Sequence, residues 1–258
     1  MELGLKRKVI LVTGGASGIG KDIVKKLQEL DAIPIVLDRL SRLEVNWEEK
    51  NNSKNELHWF KLDLTEAKHC SNAIDEIIDR FGRIDGLVNN AGINDRVGLS
   101  TNVEYFRTSL EANLIHYFTV THLCYDMLKK NKGSIVNIGS KVSFTGQGGT
   151  SGYTASKGAI TSLTREWAVD FAACGVRVNA VIPGEVMTPM YDSWLNSFDS
   201  PRDKLQAITA NIPLENRMTE SSEVAMAVIF LLSQWSAHTT GQFLFVDGGY
   251  SHLDRSIS

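Results

Sequence analysis

Cysteine is scarce in this sequence. Cys70, Cys124 and Cys174 are the only three in 258 residues, and they stand far apart without metal-ligand spacing. An odd, sparse set excludes a disulfide framework and fits a reducing cytosol. The six histidines, His58, His69, His116, His122, His238 and His252, form no ligand cluster, and no His-Glu-x-x-His occurs. No metal is therefore expected, and each histidine is expected on the surface or in a satisfied structural role. Long apolar runs are also missing, since none approaches the ~20 residues that span a bilayer. Met1 to Lys8 hold no apolar segment with a cleavage site, so a cytoplasmic chain without membrane contact is expected, and the sequon Asn51-Asn52-Ser53 reads as chance. An excess of one charge is lacking too. Twenty-seven basic residues against 30 acidic ones leave a net charge of −3, and the basic runs Lys6-Arg7-Lys8 and Lys129-Lys130 are too short for a nucleic-acid surface. No Gly-x-Ser-x-Gly occurs, which argues against a serine-hydrolase nucleophile.

What is present is an alternation of short apolar runs with helical patterns. Strand-like runs cover 9–12, 33–37, 57–62, 86–88, 134–138, 176–182 and 243–246. Between them lie helical stretches: one carrying Ile19, Ile23, Leu27 and Leu30, one over 66–81, one running through Asn113 to Leu128, one over 151–173 and one over 223–232. Residues 41–56 are polar and read as a short or irregular helix and loop. Such alternation predicts right-handed βαβ units and a parallel sheet covered on both faces. No repeat or linker divides the chain, so residues 1–258 read as one α/β domain. Three of the five prolines, Pro189, Pro201 and Pro213, break the segment 185–219, which lies past a strand end, where such folds bind ligands. It is the expected substrate-covering segment.

The first strand runs into Thr13-Gly14-Gly15-Ala16-Ser17-Gly18-Ile19-Gly20. Glycines let backbone approach a diphosphate, and the following helix offers free N–H groups and a positive dipole end. The spacing is Gly-x-x-x-Gly-x-Gly, different from Gly-x-Gly-x-x-Gly and from the Walker loop. Asp38 ends the second strand, about twenty residues on, where a carboxylate accepts from an adenosine ribose and repels a 2′-phosphate. NAD is therefore favoured, while Arg39 keeps NADP possible.

These motifs, with Asp63-Leu64, Asn89-Asn90-Ala91-Gly92, Asn113, Ser140, Tyr153, Lys157 and Pro183-Gly184 followed by Thr188, resemble the short-chain dehydrogenase/reductase family over essentially the whole chain. The resemblance implies a doubly wound, Rossmann-type sandwich with a seven-stranded parallel sheet. It implies Asn113, Ser140, Tyr153 and Lys157 as the catalytic four. It also implies a cofactor site of Gly14, Ser17, Gly18, Ile19, Gly20, Asp38, Arg39, Asp63, Leu64, Asn90, Ala91, Gly92, Tyr153, Lys157, Pro183, Gly184, Val186 and Thr188. A closer similarity is to the L-fucose dehydrogenase group. It rests on Asn113-Leu114-Ile115-His116-Tyr117, Gly146-Gln147-Gly148, Thr164 to Val169, Glu185-Val186-Met187-Thr188-Pro189 and His238 to Tyr250. Gly184 departs from that group, some members of which carry alanine there. This similarity implies NAD(P)-dependent oxidation of an aldose at its anomeric carbon to a lactone, and a homotetramer sharing the faces of helices 101–129 and 151–173.

Residue chemistry supports that reading. Tyr153 and Lys157 are four apart on a predicted helix and share a face. A nearby ammonium is expected to pull the phenol below its usual ~10. Ser140 steadies the substrate oxygen, and Asn113 is implied to hold a water linking Lys157 to solvent. Asn94, Ser140, Gln147, Tyr153, Glu185, Tyr191 and Trp194 are the expected substrate contacts; this polar set, with Asp95, suits a many-hydroxyl ligand better than a steroid. Met187 and Met190 add apolar faces, so another polyol, a steroid or an acyl substrate stays the alternative. A second alternative, a dinucleotide-binding protein that has lost catalysis, is disfavoured because Ser140, Tyr153 and Lys157 are all present. Trp167 and Phe171, on the helix of Tyr153, are expected in the core or at a subunit interface.

Overall fold

The computed structural model of the chain describes residues 2–45, 47 and 57–253. Most of the polar stretch 41–56, with its sequon, lies outside the described residues. Seven strands form one parallel sheet: β1 (Val9–Thr13), β2 (Ile33–Asp38), β3 (His58–Lys61), β4 (Gly86–Asn89), β5 (Ser134–Ile138), β6 (Arg177–Pro183) and β9 (Phe243–Val246). Their order is β3-β2-β1-β4-β5-β6-β9, so the winding reverses between β1 and β4. Such a switch point opens a crevice at the carboxyl ends of the strands. Register places Thr13 beside Leu37, Val12 beside Val88 and Asn89 beside Asn137, so the loops after β1, β2, β4 and β5 emerge on one rim. A two-residue pair, β7 (Val186–Met187) with β8 (Thr219–Glu220), staples the two ends of the covering segment together.

The central strands are buried on both faces because helices cover both. On one side α2 (Ala67–Phe81), α4 (His116–Leu123) and α6 (Ser151–Ala172) pack Ile74, Ile77, Tyr117, Val120, Ile160 and Phe171 over Leu11, Leu87 and Ile135. On the other, α1 (Gly18–Glu29) and α9 (Ser221–Leu232) pack Ile23, Val24, Leu27, Val224 and Val228 over Ile10, Val12 and Val136. Each such side chain contributes about 1.5–3 kcal/mol of burial. Trp167 and Phe171 are buried within the chain itself, which places both in the core.

One helix expected as continuous is not. Its stretch begins as α3 (Val103–Leu110), loosens into a π-helical turn at Glu111–Ile115, resumes as α4 and breaks again at Cys124 before α5 (Tyr125–Asn131). The π turn surrounds Asn113, whose side chain takes part in the backbone ladder: Nδ2 donates to the Ser109 carbonyl at 3.0 Å. Such widened turns arise where a side chain inserts into the i→i−4 pattern. The segment 185–219 contains α7 (Pro189–Leu195) and α8 (Pro201–Thr209), each opened by the proline that made it look broken in sequence. Among the described residues no helix is long and apolar enough to cross a membrane, and no cluster could hold a metal ion.

Candidate active site

The loop after β1 is clamped from behind by the loop after β4. The Thr13 hydroxyl accepts from the N–H groups of Asn90 (2.9 Å) and Ala91 (3.1 Å). The Asn90 amide donates to the carbonyls of Thr13 (2.9 Å) and Gly14 (3.1 Å). Gly14 has φ +65°, and a Cβ there would lie 2.9 Å from the Ala91 Cα. Gly18, also at positive φ, lies under Thr188, whose methyl would be 3.2 Å from an added Cβ. Ser17 caps α1 with extended backbone and makes no side-chain cap bond. The first-turn N–H groups of α1 thus lack that side-chain partner and face the crevice, as a diphosphate requires.

Asp38 is pinned at the end of β2. One carboxylate oxygen accepts from Ala16 N–H at 3.0 Å and the other from Leu40 N–H at 3.0 Å. Arg39 beside it is exposed. Asp63 accepts from both the backbone and the hydroxyl of Thr65 (2.9 and 2.7 Å), which holds its carboxyl below the usual range. Its Oδ1 is thus committed to a local turn, a use the sequence reading did not foresee. Leu64 packs against the core.

Lys157 is fully buried. Its ammonium donates to the Ile138 carbonyl at 2.7 Å and the Tyr117 hydroxyl at 3.1 Å, and lies 5.7 Å from the centre of the Tyr153 ring. Burial pulls it down to about 7. Lys157 and Asn113 meet at Gly92, where an added Cβ would lie 3.0 Å from Asn113 Oδ1 and 3.7 Å from Lys157 Nζ. Asn113 Oδ1 accepts from Ile93 N–H at 2.7 Å, so both ends of this buried amide are engaged by protein. It is therefore not an exposed helix position. Tyr117, which sequence reading treated only as part of a family stretch, is a direct partner of the lysine.

Tyr153 corrects an expectation. Its phenol is raised, not lowered: burial dominates, a hydrogen bond with Ser140 only partly offsets it, and the Glu185 charge adds to it. Lys157 directs its hydrogen bonds at Ile138 and Tyr117 and not at the phenol. Ser140 is well placed, since its oxygen accepts from Val142 N–H at 3.4 Å and its hydroxyl bonds Tyr153, at the point where a substrate oxygen would meet both.

Glu185, Tyr191, Ser140 and Tyr153 do come together. The Tyr191 hydroxyl donates to the Glu185 carboxylate, and burial with that negative charge pushes the phenol far up. Glu185 is not free, however. It forms an ion pair with the buried ammonium of Lys141, a residue the sequence reading passed over. Gly184 has a structural reason: a Cβ there would lie 2.7 Å from the Cβ of Asp247. Pro183 and Val186 are buried beside it. Thr188 caps α7, accepting from Tyr191 N–H at 3.2 Å. Trp194 stacks edge-on against Tyr191 and Phe198, with centroids 5.0 Å apart in each case. Asn94 and Gln147 are less engaged. Asn94 accepts from Arg96 N–H within its own loop at 3.3 Å, and Gln147 is exposed before two positive-φ glycines, although their loops touch where Gly98 faces Gly149.

The partners of three buried polar residues were not foreseen in the sequence. Asn89 donates to Thr121 and to Asn137, and Asn137 to Thr164, each at 3.0 Å, tying β4 and β5 to α4 and α6. His116, expected to be satisfied, is buried with Nε2 against the Ala112 carbonyl at 3.1 Å and Nδ1 without a partner among the described residues. Burial first, then the Lys157 charge, lowers it to about 4.

The chain is similar to proteins of one family throughout. A family model described as enoyl-(acyl carrier protein) reductase matches residues 14–251. L-fucose dehydrogenase of Bos taurus is 35% identical over 244 residues, covering 94% of this chain and 88% of that protein. The 3-oxoacyl-[acyl-carrier-protein] reductase of Thermotoga maritima is 34% identical over 248 residues, covering 95% and 98%. The crystal structure of Cj0485 dehydrogenase superposes with a TM-score of 0.93 at 41% identity, covering 99% and 98%. A Rossmann-type sheet, a glycine cradle at its switch point and a Ser-Tyr-Lys set beside it accompany these matches: the chain belongs to the short-chain dehydrogenase/reductase family, the NAD(P)-dependent oxidoreductases that act on CH–OH groups.

Proposed function

We propose that the protein is an NAD-dependent aldose 1-dehydrogenase that oxidises L-fucose, or a sugar of like shape, to its lactone. The observation that carries the reading is the Glu185 carboxylate, held by Lys141 and Tyr191 beside Tyr153. A carboxylate has about four acceptor positions, so two stay available for ring hydroxyls. A steroid would leave them unpaired in the pocket, at about 1–3 kcal/mol each. The 35% identity to L-fucose dehydrogenase supports the sugar; the comparable identity to an acyl-carrier reductase keeps an acyl substrate as the second reading.

The anomeric hydroxyl lies between Ser140 and Tyr153. Ser140 donates to its oxygen, and Tyr153, as phenolate, takes its proton. The C1 hydrogen leaves as hydride while the C1–O bond becomes the lactone carbonyl. A nicotinamide bound beside C1 supplies the hydride acceptor. Lys157 opposes the phenolate charge from the same helix face, and Asn113 approaches its ammonium at Gly92. The glycine cradle with Ser17 and Ile19 takes the diphosphate, Asp38 the adenosine ribose, Asp63-Leu64 the adenine edge, and Gly92, Pro183, Gly184, Val186 and Thr188 the nicotinamide end. Trp194 and Tyr191 cover the sugar, with Asn94 and Gln147 at its rim.

Initial rates with free sugars and apolar alcohols, each with NAD and NADP, test the substrate. L-Fucose, D-arabinose or L-galactose should be oxidised; turnover of a steroid or other apolar alcohol with none of these sugars would sink the reading. Glu185→Ala should raise KM for the sugar about tenfold or more while leaving the NAD dissociation constant within twofold, because one lost charged hydrogen bond is worth about 1.5–3 kcal/mol.

Asp38→Ala should move cofactor preference from NAD toward NADP by about tenfold, since it removes the ribose acceptor and the charge opposing a 2′-phosphate. It also strips Ala16 and Leu40 N–H groups of their acceptor, so the melting temperature should fall by a few degrees. Paired NAD and NADP titrations of both proteins decide it; a wild-type preference for NADP would refute the role given to Asp38.

The assembly proposed is a homotetramer. Ile115, Phe118 and Tyr125 on the 111–131 stretch and Val169 on α6 are exposed apolar groups on the faces a second copy would cover.

A further inference from the structure

Ser140 ends the β5 rim, and the next residue points the other way from what a surface lysine does. Lys141 is 6% exposed as a residue, although it stands at the start of a three-residue 3₁₀ turn. Three features hold it there. The Glu185 carboxylate pairs with its ammonium, the Tyr250 ring lies 4.0 Å from it, and its carbonyl anchors the following turn by accepting from Phe144 and Thr145 N–H (2.9 and 3.0 Å). A buried ammonium without a partner is costly, so the pair exists only because both charges are present. The same carboxylate accepts from Tyr191 and stands close enough to Tyr153 to raise it.

We propose that Lys141 is a positioning residue for the reaction: it holds the Glu185 carboxylate beside Tyr191 and Tyr153 and offsets part of the charge that Tyr153 would otherwise meet. The inference rests on Tyr153 being the acid/base, as proposed above, but not on the substrate being a sugar. The groups around Tyr153 make the balance specific. Lys157 lies on its own helix, Tyr117 on α4, and Ser140 and Lys141 on the turn after β5. Glu185 comes from the segment after β6, Tyr191 from α7, and Tyr250 from the turn after β9. Asp247, which backs Gly184, spends its oxygens on Gly249 and Ser251 N–H at 2.9 Å each. Glu185 is thus the anion that acts on the phenol, and Lys141 is its counter-charge. An uncompensated carboxylate favours the neutral phenol; its removal favours the phenolate.

The test is a Tyr153 titration read two ways: the pH profile of kcat/KM for whichever alcohol is turned over, and the phenolate absorbance of each protein minus that of its Tyr153→Phe counterpart, which needs no substrate. Lys141→Met should move the Tyr153 titration alkaline by about one unit, lowering kcat/KM near neutrality about tenfold with the NAD dissociation constant unchanged. Lys141→Arg should bring the titration back. Glu185→Gln should move it toward acid, and Lys141→Met in the Glu185→Gln background should add no alkaline shift. A lysine that merely fills space predicts lower stability with an unmoved titration. That result, or the same alkaline shift with Gln at 185, overturns the proposal. If Lys141→Met does not fold, Glu185→Gln decides alone: a titration that fails to move toward acid is equally fatal. Near-normal turnover of Tyr153→Phe would instead sink the acid/base assignment, so the two failures are distinguishable.

Discussion

Tyr153→Phe should yield a folded, nucleotide-binding protein whose turnover is lower by about 10²–10⁴-fold, the usual cost of losing a general base. The ring itself is kept, and so is the contact of Lys157 with its face. What disappears is one hydroxyl and its hydrogen bond with Ser140, about 1 kcal/mol of stability. The pH dependence separates this loss from general damage. In the oxidising direction the working form is the phenolate, so wild-type rates should rise with pH. Burial and Glu185 place that rise on the alkaline side, while burial pulls the neighbouring Lys157 down to about 7, so its charge changes earlier on the same climb in pH. The two groups are neighbours, so the limb belongs to the pair rather than to either residue. In Tyr153→Phe the limb should flatten. Turnover near the wild-type level, or a limb of unchanged height, would remove Tyr153 from the chemistry.

The fold was legible because its signals are local. Strands buried on both faces must be continuous apolar runs, and β1, β4 and β5 are wholly buried. The glycine loop was legible for a related reason: Gly14 and Gly18 take positive φ, and Gly20 meets the Gly14 carbonyl six residues back. Asn113, Ser140, Tyr153 and Lys157 were singled out through family resemblance, and the structure gathers them at one rim, their spacing in sequence being only partly self-explanatory. The rest depends on contacts distant in sequence. Lys141 meets Glu185 from 44 positions away, and Lys157 meets Tyr117 from 40. Nothing in Gly139-Ser140-Lys141 announces that the lysine turns inward. The direction of the Tyr153 shift failed on the same point: a shared helix face says that two residues are near, while burial decides which form survives. The π turn was hidden because the apolar pattern of 103–131 continues through it. Asn113 betrays it only once its amide is seen inserted between Ser109 and Ile93.

Gly20→Ala should abolish useful cofactor binding without unfolding the sheet. Gly20 sits in the first turn of α1, where its φ is ordinary, so alanine is not refused on backbone grounds. It is refused for space. An added Cβ would fall far inside van der Waals contact with the Gly14 carbonyl oxygen and 2.7 Å from the Asn90 amide nitrogen. Neither neighbour is a flexible tip. The Gly14 carbonyl is backbone, and the Asn90 amide is committed to the Thr13 and Gly14 carbonyls. The loop between β1 and α1 must therefore lift, carrying with it the N–H groups aimed at the diphosphate and loosening the Asn90 clamp. A displaced cradle loses several charge-assisted hydrogen bonds at once. An NAD dissociation constant raised about a hundredfold or more is expected, about 2.7 kcal/mol. The apolar contacts of Ile23, Val24 and Leu27 lie one turn beyond and are untouched, so far-ultraviolet circular dichroism should match the wild type. Adding saturating NAD should raise the melting temperature of the wild type and leave that of the variant nearly unchanged, because a ligand stabilises only what it binds. An equal ligand-induced rise in both proteins would show that the diphosphate is held elsewhere on the crevice.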